Sequence, residues 1–308
     1  MEYRRLGKSG LHVSAIGLGT NNFGKRVDYK GTKDIIDNAL TSGINFVDTA
    51  NAYSNGDSER YIGDALKDKR NDVVIATKVS SRMADGPNQA GNSRRHIIQE
   101  VEASLNRLRT DYIDLYQIHW WDPQTPIEET LSALDDLIHQ GKVRYIGCSN
   151  FNAWQVCEAD WAAKTLGLSP FISTQPKYNL LEREIESELL PLCRKYNIGI
   201  LPYYPLANGF LTGKFKRGQP PIVGTRLDED HRGMFTDENF DLIEKLTDFA
   251  LERSHTLLDL AFSWLLSDLS IASVIAGARN VEQVVSNAKT SEWILSKDDK
   301  EEIANLIN

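Results

Sequence analysis

Asp48, Tyr53, Lys78 and His119 are the residues of this sequence whose types and positions bear most directly on chemistry. They lie within or just after the apolar runs of INFVDTANAY, DVVIATK and IDLYQIH, and a repeating strand–helix barrel gathers its reactive side chains at the C-terminal ends of such strands. A carboxylate, a phenol, an ammonium and an imidazole at one rim could protonate a carbonyl oxygen. A tyrosine of ordinary pKa is a reluctant donor at neutral pH, and an adjacent ammonium favours phenolate and lowers that pKa. Lys78 could supply this effect, and Asp48 could hold Lys78 through a charge-assisted hydrogen bond. His119 could orient the carbonyl or share in proton transfer. Taken singly, these residues also read as a turn cap, a packing tyrosine, a solvated lysine and a satisfied pocket histidine. Convergence of all four would make a site for reducing a carbonyl that needs only a hydride source.

The elements that must position them follow from the hydrophobic pattern. Short β-branched runs alternate with longer amphipathic stretches, and the strands expected are AIGLG, INFVDT, DVVIATK, IDLYQIH, VRYIGCS, FISTQ, IGILPYY and IASVIAG. Helical stripes lie between them: Ile97, Ile98, Val101, Leu105 and Leu108 in one, Ile127, Leu131, Leu134 and Ile138 in another. Eight strand–helix units imply an α/β fold, a closed (β/α)8 TIM barrel. An open doubly wound sheet usually carries GxGxxG after its first strand, and Gly17-Leu18-Gly19-Thr20 lacks the third glycine. Ahead of the first strand, EYRRLGKSGLHVS has two strand-like halves around Gly7-Lys8-Ser9-Gly10, a hairpin suited to plugging the barrel bottom. Two long connections, Ser80 to Ser93 and Ala207 to Thr236, follow strands and should emerge at the same mouth. The first could shape a substrate pocket, with Phe23, Trp120 and Trp121 as candidate walls, and Asn21 and Asn22 would suit a hydroxylated substrate.

At 308 residues and 41% hydrophobic content, the chain can bury a substantial core, and residues 1–308 are expected to form a single domain. A formal charge of −8 argues against a nucleic-acid partner. MEYRRLGKSG lacks the apolar core of a signal peptide, and no run approaches the roughly 18 apolar residues that span a bilayer, so a cytoplasmic protein with no membrane partner is expected. Cys148, Cys157 and Cys193 have no CxxC spacing and read as reduced. The six histidines show no HxH pair; His12, His96, His139, His231 and His255 read as isolated residues, which leaves metal-dependent hydrolysis unsupported. The helices carry no sustained heptad seam that would specify an oligomer.

GINFVDTANAYSNGDSE, VVIATKV, DLYQIHWWD, GKVRYIGCSNF, QPKYNLLERE and YYPLANGFLTGK resemble the aldo-keto reductase family, in order and over nearly the whole chain. The similarity is to bacterial general aldehyde reductases and potassium-channel β-subunits rather than to the aldose-reductase branch. The resemblance implies hydride transfer from nicotinamide without a metal, with Tyr53 as general acid, Asp48 and Lys78 setting its acidity, and His119 orienting a small carbonyl substrate. It implies that Ser149, Asn150 and Gln175 bind the nicotinamide carboxamide, that Tyr203 stacks on the ring, and that Thr20 contributes at the end of the first strand. Tyr204, Pro205, Leu206, Ala207 and Asn208 resemble the stretch beneath the pyrophosphate, while Lys214 and Arg226 match cationic positions in the neighbouring loop, where they could clasp a diphosphate.

The segment GARNVEQVVSN occupies the adenosine-binding position of the family, with Gly277, Arg279, Gln283, Ser286 and Asn287 around a helix start. The aldose-reductase branch has a lysine where this chain has Gly277, an arginine where it has Gln283 and an acidic residue where it has Ser286. Arg279 could replace the lost charge at a 2′-phosphate, and NADPH/NADP+ is the cofactor expected. Three activities fit the resemblance: an NADPH-dependent reductase of aldehydes or ketones, a sugar or glycoside ketoreductase or dehydrogenase, and a nicotinamide-binding regulatory module that reports redox state to a partner.

Overall fold

Two short strands, β1 (Tyr3–Arg5) and β2 (His12–Ser14), pair antiparallel with Tyr3 opposite Ser14, as the hairpin pattern predicts. The computed structural model describes residues 1–229 and 233–307; His231 lies outside the described residues. All eight expected strands form: β3 (Ile16–Gly19), β4 (Phe46–Asp48), β5 (Val74–Val79), β6 (Ile113–Ile118), β7 (Val143–Ser149), β8 (Ser173–Gln175), β9 (Gly199–Ile200) and β10 (Val274–Gly277). They pair in parallel in the order β10-β3-β4-β5-β6-β7-β8-β9. The last gap closes through Ile200 N–H to Ser270 O, Ala272 N–H to Ile200 O and Ile275 N–H to Pro202 O, each 2.9 Å, which completes the (β/α)8 barrel. β9 is shorter than IGILPYY suggests because Pro202 has no N–H to give the ladder.

Helices α1 (Tyr29–Thr41), α2 (Asp57–Ala65), α3 (Arg94–Leu108), α4 (Ile127–His139), α5 (Ala153–Leu166) and α6 (Leu189–Tyr196) each follow one of the strands β3 to β8. After β9 come α7 (Arg226–Glu229), α8 (Asp237–Glu252) and α9 (Leu257–Leu266); after β10, α10 (Val281–Lys289) and α11 (Lys297–Ile307). Local sequence sets their starts: Asp28, Ser93, Thr236 and Asn280 each accept a hydrogen bond from the N–H three residues on, and Thr256 with Asp259 forms a full capping box. Each such cap contributes about 1 kcal/mol. The α3 and α4 stripes face the strands, with Ile97, Val101, Leu131 and Leu134 fully buried and Ile98 half-buried.

Inside the barrel, Leu6 and Val13 of the hairpin join Phe46, Leu115, Leu201 and Ile275 in one apolar cluster. Gly7 makes this approach possible: it adopts φ +56°, and a Cβ there would lie 2.2 Å from the Ile172 carbonyl oxygen. The bottom of the barrel is therefore closed by apolar packing. The two-residue period of a strand puts Phe46 with Asp48, Ala76 with Lys78, and Leu115 with Gln117 on common faces, and the register sets Lys78 beside Gln117. The interior thus runs from an apolar floor to a polar mouth.

The long connection after β9 is anchored at several of its described residues. Phe210, Phe215, Leu227 and Met234 are buried in a second apolar cluster with Phe240 of α8, Leu260 of α9 and Ile303 of α11. Its apolar residues are too widely spaced to register as one periodic element, so only packing against the later helices shows what they do. Among the described residues, no helix is long and apolar enough to cross a membrane.

Candidate active site

Lys78 is fully buried beneath the mouth. Its Nζ donates to Asp48 Oδ2 at 2.7 Å and to the Thr49 carbonyl oxygen at 2.8 Å, and lies 5.2 Å from the centroid of the Tyr53 ring. The other Asp48 oxygen accepts from Gln175 Nε2 at 2.8 Å and Gln117 Nε2 at 3.2 Å. Tyr53 stands five residues past β4 at the start of a tight turn, with His119 edge-on to its ring at a centroid separation of 6.1 Å. The imidazole stacks on Trp120 at 5.4 Å. All four expected residues are brought together, Lys78 as the layer beneath and Asp48, Tyr53 and His119 lining the cavity.

Lys78 acts on Tyr53 in the expected direction, but burial outweighs it. Burial dominates at Tyr53 and holds its pKa above the ordinary phenol value; Lys78 pulls it down without reversing the rise, and Asp48 adds to it. Burial also works against the Lys78 ammonium, but Asp48 and Tyr53 together more than offset it, so that pKa is raised and the lysine stays charged. Burial, helped by the Lys78 charge, pushes His119 down to about 3, which leaves a neutral imidazole at physiological pH. Its Nδ1 is enclosed with no partner among the described residues, so Nε2 is the nitrogen available to a ligand.

A cavity of about 570 Å³ runs from these side chains across the barrel mouth to α10. At the near end, Ser149 Oγ donates to the Gln175 carbonyl at 2.8 Å, and Asn150, in a left-handed conformation, donates to the His119 carbonyl at 3.0 Å and accepts from the Tyr203 hydroxyl at 2.8 Å. At the far end, the Arg226 guanidinium lies 5.0 Å from the Tyr204 ring centroid, and Arg279 Nη1 donates to the Gly224 carbonyl at 2.9 Å. Among the described residues, the cavity lining holds the cationic side chains of Arg26, Lys214, Arg226 and Arg279, and the carboxylate of Asp48, which is paired with Lys78. Partial burial and the neighbouring Arg279 charge hold Lys214 below its ordinary pKa. The residues present therefore fit a dinucleotide: amides and hydroxyls at one end, an aromatic face between, cations at the other.

Thr20, Ser149, Asn150, Gln175, Tyr203, Tyr204, Pro205, Leu206, Asn208, Lys214, Arg226, Gly277, Arg279, Gln283, Ser286 and Asn287 all line this cavity. Ala207 does not: it is fully buried and packs into the second apolar cluster. Phe23 is likewise fully buried, and Trp121 turns away to meet Phe151 and Trp154 at ring separations of 5.2 and 5.4 Å, so neither walls the pocket. The Ser80 to Ser93 connection is absent from the lining; it acts as a brace, with Asn92 Nδ2 donating to the Trp120 carbonyl at 2.8 Å. At the start of α10 the backbone N–H groups of Arg279 and Gln283 are bonded to the Gln283 and Asn280 side chains. Gln117, Arg26 and Asn179 were missed. Gln117 shares the inward face of β6 with Leu115, a two-residue spacing that could have found it. Asn179 Nδ2 holds the Tyr204 carbonyl at 3.0 Å, a contact with no local signal.

A family model for the Aldo/keto reductase family matches residues 15–308. The chain is 37% identical over 303 residues to a probable voltage-gated potassium channel subunit beta of Oryza sativa subsp. japonica, covering 96% of this chain and 92% of that protein. It is 38% identical over 309 residues to the uncharacterized oxidoreductase YrpG of Bacillus subtilis, covering 97% and 93%. It is also 35% identical over 318 residues to the aldo-keto reductase YhdN of the same organism, covering 100% and 94%. The chain belongs to the aldo/keto reductase family, whose members are oxidoreductases that act on carbonyl compounds with a nicotinamide cofactor.

Proposed function

We propose that this protein is a cytoplasmic, NADPH-dependent reductase of aldehydes, with activity extending to ketones or sugar-derived carbonyls, and that residues 1–308 work as one domain. The observation that carries the reading is the buried Lys78–Asp48 ion pair beside the Tyr53 ring, at the end of a cavity whose other end is cationic. Tyr53 donates its proton to the carbonyl oxygen as the C=O double bond becomes a C–O single bond. Lys78 stabilises the phenolate left behind, and Asp48, held by Gln117 and Gln175, keeps Lys78 charged and aimed. Neutral His119 orients the carbonyl by donating from Nε2. Bound NADPH supplies the hydride. Ser149, Asn150 and Gln175 would hold its carboxamide, Tyr203 its ring face, the Tyr204 to Asn208 stretch, excepting the buried Ala207, with Lys214 and Arg226 its pyrophosphate, and Arg279 its 2′-phosphate.

The test is NADPH oxidation across nitrobenzaldehydes, methylglyoxal and keto sugars, with Tyr53→Phe as the control. Turnover in the range of about 1–1000 per second on an aldehyde, abolished in Tyr53→Phe with NADPH binding retained, is expected. Substantial turnover by Tyr53→Phe would refute the assignment of the proton donor, and a preference for keto sugars would move the substrate to that class. A second reading, a nicotinamide-binding regulatory module, is favoured by the likeness to channel β-subunits; turnover far below that range on every carbonyl would support it.

A further inference from the structure

Next to the Tyr53 turn, and contributing nothing to the cavity wall, lies a buried polar cluster that the chemistry above does not use. Glu59 of α2 and Thr77 of β5 are fully enclosed, and Glu100 of α3 is 4% exposed. Glu59 Oε1 accepts from Thr77 Oγ1 at 2.5 Å and its Oε2 from Arg107 Nε at 2.6 Å. Arg107 Nη2 reaches Glu100 Oε2 at 3.5 Å, and the same oxygen accepts from Asn51 Nδ2 at 3.0 Å. Holding two carboxylates out of water, even against a largely enclosed guanidinium, is costly and rarely adds stability over apolar packing. The contacts with the Tyr53 turn supply a reason for keeping them.

Tyr53 is followed by three left-handed residues, Ser54 (φ 50°), Asn55 (φ 53°) and Gly56 (φ 88°). Two of them are not glycine, so the surroundings must impose the shape. One constraint is the Ser54 hydroxyl, which donates to the Phe23 carbonyl at 2.6 Å. The others lead to the cluster. At one end of the turn, the Asn51 N–H donates to the Lys78 carbonyl at 3.2 Å while its side chain is held by Glu100. At the other end, Gly56 rests on Arg107, where a Cβ would lie 2.7 Å from Arg107 Cδ. We propose that Arg107, fixed by Glu59 and Glu100, is the seat of the Tyr53 turn: Glu59, Glu100, Arg107 and Asn51 are positioning residues that set where the Tyr53 hydroxyl stands relative to Lys78 and His119. This rests on Tyr53 being the proton donor.

The test compares Arg107→Met, Glu100→Gln and Asn51→Ala with the parent and with Tyr53→Phe, on the carbonyl turned over fastest. Misplacing a reacting group by about 1 Å costs on the order of 100-fold, so kcat is expected to fall about 10- to 100-fold in Arg107→Met and about 10-fold in Asn51→Ala. The NADPH dissociation constant, read by protein fluorescence, is expected to stay within about twofold, because none of these side chains lines the cavity. Arg107→Lys, which keeps the charge but loses the planar fork, should fall between. If Arg107→Met does not fold, Asn51→Ala decides, since it leaves the ion cluster intact. Folded variants with parental kcat beside an inactive Tyr53→Phe would overturn the positioning role and leave Tyr53 in place. A loss of NADPH affinity equal to the loss of kcat would also overturn it. Full activity of Tyr53→Phe would remove the basis of both proposals at once.

Discussion

Lys78→Met should separate the stability of the site from its chemistry. Lys78 is wholly enclosed and Asp48 is 2% exposed at the cavity floor, so the substitution leaves an unpaired carboxylate almost entirely shielded from water. Breaking a buried pair by removing one partner costs about 3–5 kcal/mol. Asp48 would still accept from Gln117 and Gln175, which argues for the low end, about 3 kcal/mol. With an unfolding entropy of about 2.1 cal/mol/K per residue, 308 residues give about 0.65 kcal/mol/K, and Tm should drop by about 5 °C. The double variant Asp48→Asn/Lys78→Met carries no orphaned charge and should recover at least half of that drop while remaining inactive. Calorimetry at neutral pH on the parent, both single variants and the double variant measures this. A Lys78→Met shift below about 1 °C, or a double variant no more stable than Lys78→Met, would show that the buried charge is not the source of the cost.

The His119 imidazole should not titrate between about pH 5 and 8, because burial places it near 3; NMR of its ring protons checks this, and a midpoint near 6.5 would refute it. Since the folded value lies below the unfolded one, the stability tied to neutral His119 is whole above about pH 6.5 and declines as pH falls toward 3, a slope that His119→Gln should lose. Arg279→Ala should raise KM for NADPH by about 10- to 100-fold, the worth of a charged hydrogen bond, and leave KM for NADH nearly unchanged; equal effects would exclude Arg279 from the 2′-phosphate. Trp120→Ala should raise KM for aromatic aldehydes several-fold more than for methylglyoxal, because its half-exposed ring stacks on His119 at the pocket edge; no change in that ratio would place substrates elsewhere.

Much of the fold was legible because most strands are short apolar runs and helices such as α1, α3 and α8 pair an N-terminal cap with an apolar stripe, and both patterns are local. The hairpin was legible for the same reason, as were Asp48 and Lys78, which end strands. What escaped notice depended on contacts between distant segments. Ala207 reads like its neighbours in YYPLANGF, yet its methyl faces the α8 and α9 packing rather than the cavity. Trp120 and Trp121 are adjacent in sequence and diverge in space, one stacking on His119 and the other joining Phe151. No pattern in the Ser80 to Ser93 segment distinguishes a pocket wall from the brace that it forms behind Trp120.

By itself, the sequence determined the order of eight strand–helix units, the rim on which the four reactive groups stand, and the family to which they belong, since periodicity and motif spacing are properties of the chain. Tertiary structure alone decided the state of those groups. Burial raises the Tyr53 pKa despite Lys78, and burial neutralises His119; the balance of desolvation against Coulomb attraction exists only after folding has excluded water. It also decided that the turn bearing Tyr53 sits on Arg107, fifty-odd residues away, because such contacts are made by packing and leave no mark in local sequence.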